Sequence, residues 1–296
     1  MAKIGLVTVL FKSDEVLPDF FSSIARQTHK DYILYLVDNS ESEATDKMIS
    51  QCLADYPVTA YKHIRTGGNI GVAAGNNTGI KLSIADHCSH VLILNNDIDI
   101  EQDFMFSAML SLAEEKGESM IVPKIYYFGE KKIWMAGGYM DKWRALGVHY
   151  GYNKADAPEY NVAKHVTYSP TCFMLVKKEV FEKVGFMDEK YFAYYDDTDF
   201  VLRATNRGYK IFYDPTLVIL HKVSSSAGTN SPFYVYYSNR NKLYFIRKNF
   251  TGLQRYFSIL YTLVSRVVFY FRFDKARRQK LVQGLKDGFK MPIEKS

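Results

Sequence analysis

Apolar positions fall into short unbroken runs along the first hundred residues. Ile4-Gly5-Leu6-Val7-Thr8-Val9-Leu10-Phe11, Tyr32-Ile33-Leu34-Tyr35-Leu36-Val37 and His90-Val91-Leu92-Ile93-Leu94 are too continuous for strands with one wet face. They predict strands buried on both sides, as in parallel sheets covered by helices. Between them the pattern changes to helical. One helix is expected from the capping groups Ser13-Asp14-Glu15 to about Ala25, another over 43–55, and a third from the glycine-rich stretch at 71–79 to about Ala85. A strand near 58–64 and a helix near 102–115 extend the alternation, which predicts a mostly parallel sheet wound with helices. Residues 120–170 are less regular, with short strands at Ile121-Val122-Pro123, Ile133-Trp134-Met135 and His165-Val166-Thr167-Tyr168. A short helix with Phe200, Val201 and Ala204 on its buried side ends near Gly208. Residues 211–221 read as two strand pieces around Asp214-Pro215, and 233–250 as a helix.

Polar clusters interrupt this pattern where chemistry is expected. The run at 90–94 stops at Asn95-Asn96-Asp97-Ile98-Asp99. Ligands of open α/β sheets bind beyond the carboxyl ends of strands, and carboxylates there can hold a divalent cation that in turn holds phosphates. A polar turn gives the same pattern. Gly71, Gly75 and Gly79 share one helical face, which allows close approach of either a ligand or another backbone. Their spacing is neither the dinucleotide fingerprint nor the P-loop. Asp196, Asp197 and Asp199 either cap the helix that follows or supply a proton acceptor. Mutual repulsion raises a carboxylate pKa, and a helix N-terminus lowers it. His221 ends a strand, and the polar loop Lys222–Gly228 after it can move over a ligand.

Composition narrows the class. The 296 residues, 47% of them hydrophobic, are enough for a sizeable soluble core. Residues 240–296 hold 14 Lys and Arg against 3 Asp and Glu, a balance of +11, so the preceding part carries −5 with 24 basic and 29 acidic residues. A basic partner surface therefore belongs to the tail. Cys52, Cys88 and Cys172 lack zinc or redox spacing and point to a reducing, cytosolic setting. No small-residue cleavage pattern follows the apolar start, which favours a first strand over a signal peptide.

Taken in order, these clusters resemble the family 2 glycosyltransferases, especially the rhamnosyltransferase-like members of bacterial surface polysaccharide synthesis. The likeness spans roughly residues 3–250. It rests on Val7-Thr8-Val9-Leu10-Phe11, on Gln27-Thr28 with Val37-Asp38-Asn39-Ser40, and on Asn69-Ile70-Gly71 with Gly75-Asn76-Asn77-Thr78-Gly79. Leu94-Asn95-Asn96-Asp97 is similar to a DxD motif with asparagine in first place, and Val184–Glu189 through Tyr195-Asp196-Asp197-Thr198-Asp199-Phe200 and Arg203 is similar to the catalytic segment.

The resemblance implies the glycosyltransferase A-type fold, an α/β, Rossmann-like, mostly parallel sheet with helices on both faces, plus a C-terminal helical extension. It implies an inverting sugar transfer from a UDP- or dTDP-linked donor with Mn²⁺ or Mg²⁺. Asp38 would bind the base with Thr8 and Phe11 beside it, while Asn69, Gly71, Asn76, Asn77 and Asn96 would line the donor site. Asp97 and His221 would bind the metal, with Asp99 as a competing ligand through the literal Asp97-Ile98-Asp99 register. Asp197 would be the general base, and Asp196 and Asp199 would position the acceptor or tune that base. Lys12 replaces a common asparagine and Asn76 a phosphate-side arginine, which leaves those base and phosphate contacts open.

The expected organisation is a nucleotide-sugar and catalytic domain over 1–250 and a basic, apolar helical extension over 251–296. Within the extension, Tyr256–Phe271 forms a 16-residue apolar run broken by Arg266. That is shorter than the ~20 residues of a membrane span. It reads as an interfacial helix on an anionic membrane, or as a core-packing or homodimer helix. A lipid-linked glycan acceptor at the inner face of the bacterial plasma membrane fits the first option. A nucleotidyltransferase would also need acidic strand ends, but it leaves Asp196-Asp197 and His221 unexplained. A nucleic-acid-binding protein would account for the basic tail, yet no nucleic-acid motif accompanies that charge, and no nucleic-acid partner is expected.

Overall fold

The computed structural model describes residues 2–40, 42–222 and 231–293. In chain order β1 (Ile4–Leu10), α1 (Leu17–Ala25), β2 (Tyr32–Asp38), α2 (Glu43–Asp55), β3 (Tyr61–Arg65), α3 (Val72–Ala85) and β4 (His90–Leu94) alternate strand and helix. Next come β5 (Ile98–Asp99), α4 (Met105–Glu115), β6 (Met120–Tyr127), β7 (Lys132–Met135), β8 (Gly138–Asp141), β9 (Leu146–His149), β10 (Lys154–Ala155), β11 (Lys164–Val166) and β12 (Phe173–Lys177). The chain continues through α5 (Lys178–Val184), α6 (Asp196–Asn206), β13 (Ile211–His221), α7 (Pro232–Asn249), α8 (Gly252–Arg272) and α9 (Lys275–Lys290).

The main sheet runs β10-β7-β6-β12-β4-β1-β2-β3, with β13 alongside β6. Its parallel block is β3, β2, β1 and β4, where Leu6 lies between Leu34 and Leu92. β12 enters antiparallel between β4 and β6, pairing Phe173 with Leu94, so the sheet is mixed beyond β4. Between β6 and β12 the chain forms short strands in place of a crossover helix, and β12 returns antiparallel to both of its neighbours. β13 is one strand rather than two pieces, and its register against β6 slips between Asp214 and Val218. Pro215 sits in that slip, where no ladder donor is required.

Both faces of the inner strands β1, β2 and β4 are covered. A side chain on Gly75 or Gly79 would run into Val9 or Val7, so these glycines let α3 lie directly on the odd-numbered face of β1. The even-numbered face is closed by α1 and α4, linked by Gln27 accepting from the Phe106 amide at 3.3 Å and by the Tyr32–Phe106 ring pair at 5.9 Å. The glycine spacing thus serves helix–sheet packing at positions 75 and 79. α1 starts later than expected, after a 3₁₀ turn at Asp14–Val16, and Ser13 does not cap it. The Ser13 hydroxyl instead accepts from Asn96 Nδ2 at 2.8 Å. The three cysteines are buried and unpaired.

The C-terminal helices return to the body. α9 lies along α7, where Gly284 and Gly288 face the carbonyls of Tyr236 and Arg240 too closely for a larger residue. Arg247 ties the two by donating to the carbonyls of Gly288 at 2.8 Å and Met291 at 3.0 Å.

Candidate active site

Because β1, β2 and β4 are parallel, their carboxyl ends place Phe11, Asp38 and Asn95-Asn96-Asp97 along one edge of the sheet. Asp38 is fully buried there. Its Oδ1 accepts from the Ser40 amide at 2.7 Å, and His63 Nε2 lies 3.3 Å from Oδ2. Asp38, Asp46 and His63 bring ligand atoms within 4.8 Å of one another. Asn39 holds the loop before α3, donating to Asn69 Oδ1 at 3.4 Å and to the Gly71 carbonyl at 3.2 Å. Gly71 has φ 87°, a conformation that favours glycine, and Val72 then donates to the Phe192 carbonyl at 2.9 Å.

β13 pairs with β5 so that His221 faces Ile98, one residue beyond Asp97. His221 Nε2 lies 3.1 Å from Asp97 Oδ1, and both side chains are largely buried. The other ring nitrogen, Nδ1, is buried and has no partner among the described residues. Trp134 stands edge-on to the His221 ring at 4.7 Å and to His149 at 4.7 Å. His149 stacks on Tyr168 at 5.8 Å, and the Tyr168 hydroxyl donates to Asp197 Oδ2 at 3.4 Å. A continuous wall of rings therefore joins Asp97 to Asp197. Between them the buried Cys172 thiol is pushed up by burial and then by the charges of both Asp97 and Asp197.

Asp196 and Asp197 open α6, directly after Tyr194 and Tyr195, which hold the left-handed values φ 66° and 70°. Such backbone costs about 1–3 kcal/mol per residue and persists only where its surroundings fix it. Asn241 of α7 does so, donating to the carbonyls of Ala193 at 2.7 Å and Tyr194 at 2.8 Å. Burial raises the Asp196 carboxyl well above the ordinary range, helped by the Asp197 charge. Burial also raises Asp197, against the pull of the Thr198 amide and hydroxyl and of Tyr168. At this helix start, desolvation outweighs the favourable backbone amides.

Several expected site residues are turned elsewhere. Thr8 is fully buried and points away from Val7 and Val9, toward the α1 side, so it does not face the cleft. Asn96 donates to the Val9 carbonyl at 3.3 Å and to Ser13, holding the end of β1, while the adjacent Asn95 is exposed. Asp99 accepts from Ser23 at 2.8 Å and Arg26 at 3.2 Å on α1 and does not join Asp97 and His221. Asp199 is fully buried and accepts from Arg203 at 2.7 Å, Lys248 at 3.0 Å and Asn249 at 2.9 Å, which leaves it no room to position an acceptor. Asn77 donates to Glu189 and exchanges bonds with the Met187 backbone at 2.8 and 3.0 Å, and Asn76 contacts the Met187 sulfur. These two amides latch the segment before α6 onto α3. Of the loop Lys222–Gly228, residues 223–228 lie outside the described residues.

The model of glycosyl transferase family 2 matches residues 6–185, more than half of the sequence. This chain belongs to that family. The low-salt glycan biosynthesis hexosyltransferase Agl10 of Haloferax volcanii is 24% identical over 90% of this chain and 81% of its own length. The dTDP-rhamnosyl transferase RfbF of Shigella flexneri is 27% identical over 63% of each chain. Among solved structures, GalNAc-T7 with UDP, GalNAc and Mn²⁺ superimposes with a TM-score of 0.70 at 12% identity, covering 98% of this chain and 56% of that one. The fold is the A-type fold of glycosyltransferases.

Within this glycosyltransferase, the sequence pattern alone did not single out the ring wall of Trp134, His149 and Tyr168. These residues lie in the irregular half, where no periodicity marks them. Burial, reinforced by the His221 charge and opposed by the Trp134 carbonyl, holds His149 down at about 4.

Proposed function

We propose that this family 2 glycosyltransferase inverts the anomeric centre as it moves a hexose or rhamnose from a UDP- or dTDP-linked donor to a lipid-linked cell-surface glycan. The observation that carries this reading is that the Asp97–His221 pair and Asp197 flank one buried thiol and share one wall of rings. Donor phosphates at the first and an acceptor hydroxyl at the second would then meet across the same cleft.

Asp97 and His221 offer an oxygen and a nitrogen 3.1 Å apart, a donor set that suits Mn²⁺ and also accommodates Mg²⁺. A bound divalent ion would neutralise charge on the departing nucleotide diphosphate. Asp197 accepts the proton of the acceptor hydroxyl as that oxygen attacks from the face opposite the leaving group. Thr198 fixes one carboxylate oxygen and leaves the other, facing Tyr168, for that proton. Phe11 and Asp38 bind the base, and exposed Asn95 takes the donor contact first given to Asn96. Asn69 and Gly71 shape the loop beneath the diphosphate, and Asp196, raised by burial and by the Asp197 charge, keeps its own proton beside the base.

A dTDP-rhamnosyl transferase and a hexosyltransferase among the relatives support the sugar classes named. The enzyme is placed in the cytoplasm at the inner membrane face, where such acceptors are built. Thermal melting with UDP or dTDP and Mn²⁺, against an oligonucleotide control, tests the reading. Stabilisation is expected with the nucleotide and metal together, and no shift with either nucleotide would overturn it.

A further inference from the structure

Helix α8 is amphipathic in the reverse sense of a helix in a soluble protein. Its polar side chains face the body: Ser258 and Thr262 are fully buried, and the Ser258 hydroxyl donates to the Trp143 carbonyl at 2.9 Å. Gln254 donates to the Lys142 carbonyl at 3.1 Å. Arg266, the charge that interrupts the apolar run in sequence, turns inward to Asn239. The outward stripe is Leu253, Tyr256, Leu260, Val264, Val267 and Phe271, exposed by 86, 72, 61, 60, 54 and 72%. Those positions are three or four apart and form one face along the whole helix. A surface helix normally buries that face in its own core, and here none of the described residues covers it.

Charge decides what covers it. The segment 240–296 carries +11, and Arg272, Lys275, Lys280, Lys286 and Lys290 are exposed at the end of α8 and along α9. Two copies meeting stripe to stripe would bury Arg272 and Lys275 at the end of the stripe, and α8 offers no carboxylate to neutralise them. An anionic lipid surface accommodates both the apolar stripe and the surrounding cations. Trp143 is 57% exposed and packs edge-on against Phe257 at 5.2 Å, a placement suited to the headgroup region. Val282 and Phe289 are exposed on α9 on either side of Lys286. No helix among the described residues is long and apolar enough to cross a membrane, so the contact is interfacial.

We infer that α8 docks this enzyme on an anionic bilayer through the stripe from Leu253 to Phe271. The hairpin of β8 and β9 gives the contact its meaning. Its tip at Lys142 and Trp143 is bonded to α8, and its last residue, His149, stands in the wall of the cleft. A bilayer on α8 therefore lies beside the site where acceptor and base meet. The inference rests on the lipid-linked acceptor reading for this purpose, while its test does not use turnover.

The test is co-sedimentation of the full chain with vesicles of phosphatidylglycerol and phosphatidylcholine, compared with phosphatidylcholine alone, at low and high salt. Binding is expected to the anionic vesicles and to weaken with salt. Leu260→Glu with Val264→Glu, and separately Arg272→Glu with Lys275→Glu, should each lower it by about tenfold or more. Both variants should keep the wild-type melting temperature and its response to nucleotide. Equal recovery with and without vesicles overturns the inference. So does light scattering that shows a dimer disrupted by Leu260→Glu with Val264→Glu in a protein that ignores vesicles. Loss of the nucleotide response in wild-type protein would count against the donor reading alone.

Discussion

Tyr168 donates its hydroxyl hydrogen to Oδ2 of Asp197 across 3.4 Å, from a strand-edge loop 29 residues earlier in the chain. The Thr198 amide holds Oδ1 at 2.6 Å. Each donor favours the anion, whereas burial disfavours it and prevails. A base must be deprotonated to act, so activity should fall as pH drops through a value above the ordinary carboxylate pKa of about 3.9. Asp197→Asn should keep donor binding and lose turnover by roughly 10²–10⁴-fold. Tyr168→Phe should move the acid limb of kcat upward by about one pH unit, as expected for one lost bond to an anion. The pH–rate profile checks both, and an unshifted limb in Tyr168→Phe would mean that Oδ2 is not the working oxygen.

Asp97 and Asp99 are two residues apart but face different partners. Asp97 meets His221, and Asp99 meets Ser23 and a half-exposed Arg26. Asp97→Ala is expected to weaken metal-dependent nucleotide binding by about 100-fold or more. Asp99→Ala should leave that binding intact and lower stability by only about 1 kcal/mol, since a solvent-exposed arginine adds little. Nucleotide titrations with and without Mn²⁺ distinguish the two. Similar losses in both variants would show that the literal DxD register holds the metal after all.

The parallel half of the fold was legible because β1, β2 and β4 are buried on both faces and therefore read as continuous apolar runs, whereas the edge strand β3 is polar and largely exposed. The half beyond β4 was not, since β7 to β11 are short and partly exposed, and their pairing depends on turns rather than periodicity. At the site, the convergence of Asp97 and His221 across 124 residues could be expected only from the resemblance to a family. Composition could not say which way a side chain turns. Thr8 differs from Val9 only by strand parity, and Asn96 differs from Asn95 by its bond to Ser13. Asp199 looked like a third acidic site residue because two of its partners, the Lys248 ammonium and the Asn249 amide, lie 49 and 50 residues away and join the nearby Arg203 only in space. Arg266 broke the apolar run in sequence but not in space.

Gly79 allows α3 to rest on Val7 and Val37. Gly79→Ala would push a methyl group into Val7, and overpacking of this kind typically costs about 1–3 kcal/mol. The denaturation midpoint should fall accordingly, with nucleotide affinity in the folded protein little changed. A large loss of affinity without loss of stability would instead make this glycine part of the donor pocket.

Asp196 makes a different, pH-dependent prediction. Its carboxyl is raised by burial and by the Asp197 charge, so the folded protein binds this proton more tightly than the unfolded chain does. The sign follows from linkage: the contribution to stability is fully present below the unfolded value of about 3.9 and is lost as pH rises through the higher folded value. Above its folded value of about 8, the charged form is thus held in place against its own desolvation. Asp196→Asn removes that charge and the repulsion with Asp197 while keeping the shape of the side chain. Its melting temperature should exceed that of the wild type above neutral pH, and the difference should shrink on acidification. Asp197 is raised by its own burial, and Asp196 still holds its proton while Asp197 titrates, so the acid limb of kcat should stay close to that of the wild type. Melting curves across pH, set beside the rate profile, measure both effects. A variant less stable than wild type at every pH would show that Asp196 is held as a favourable anion by the first turn of α6.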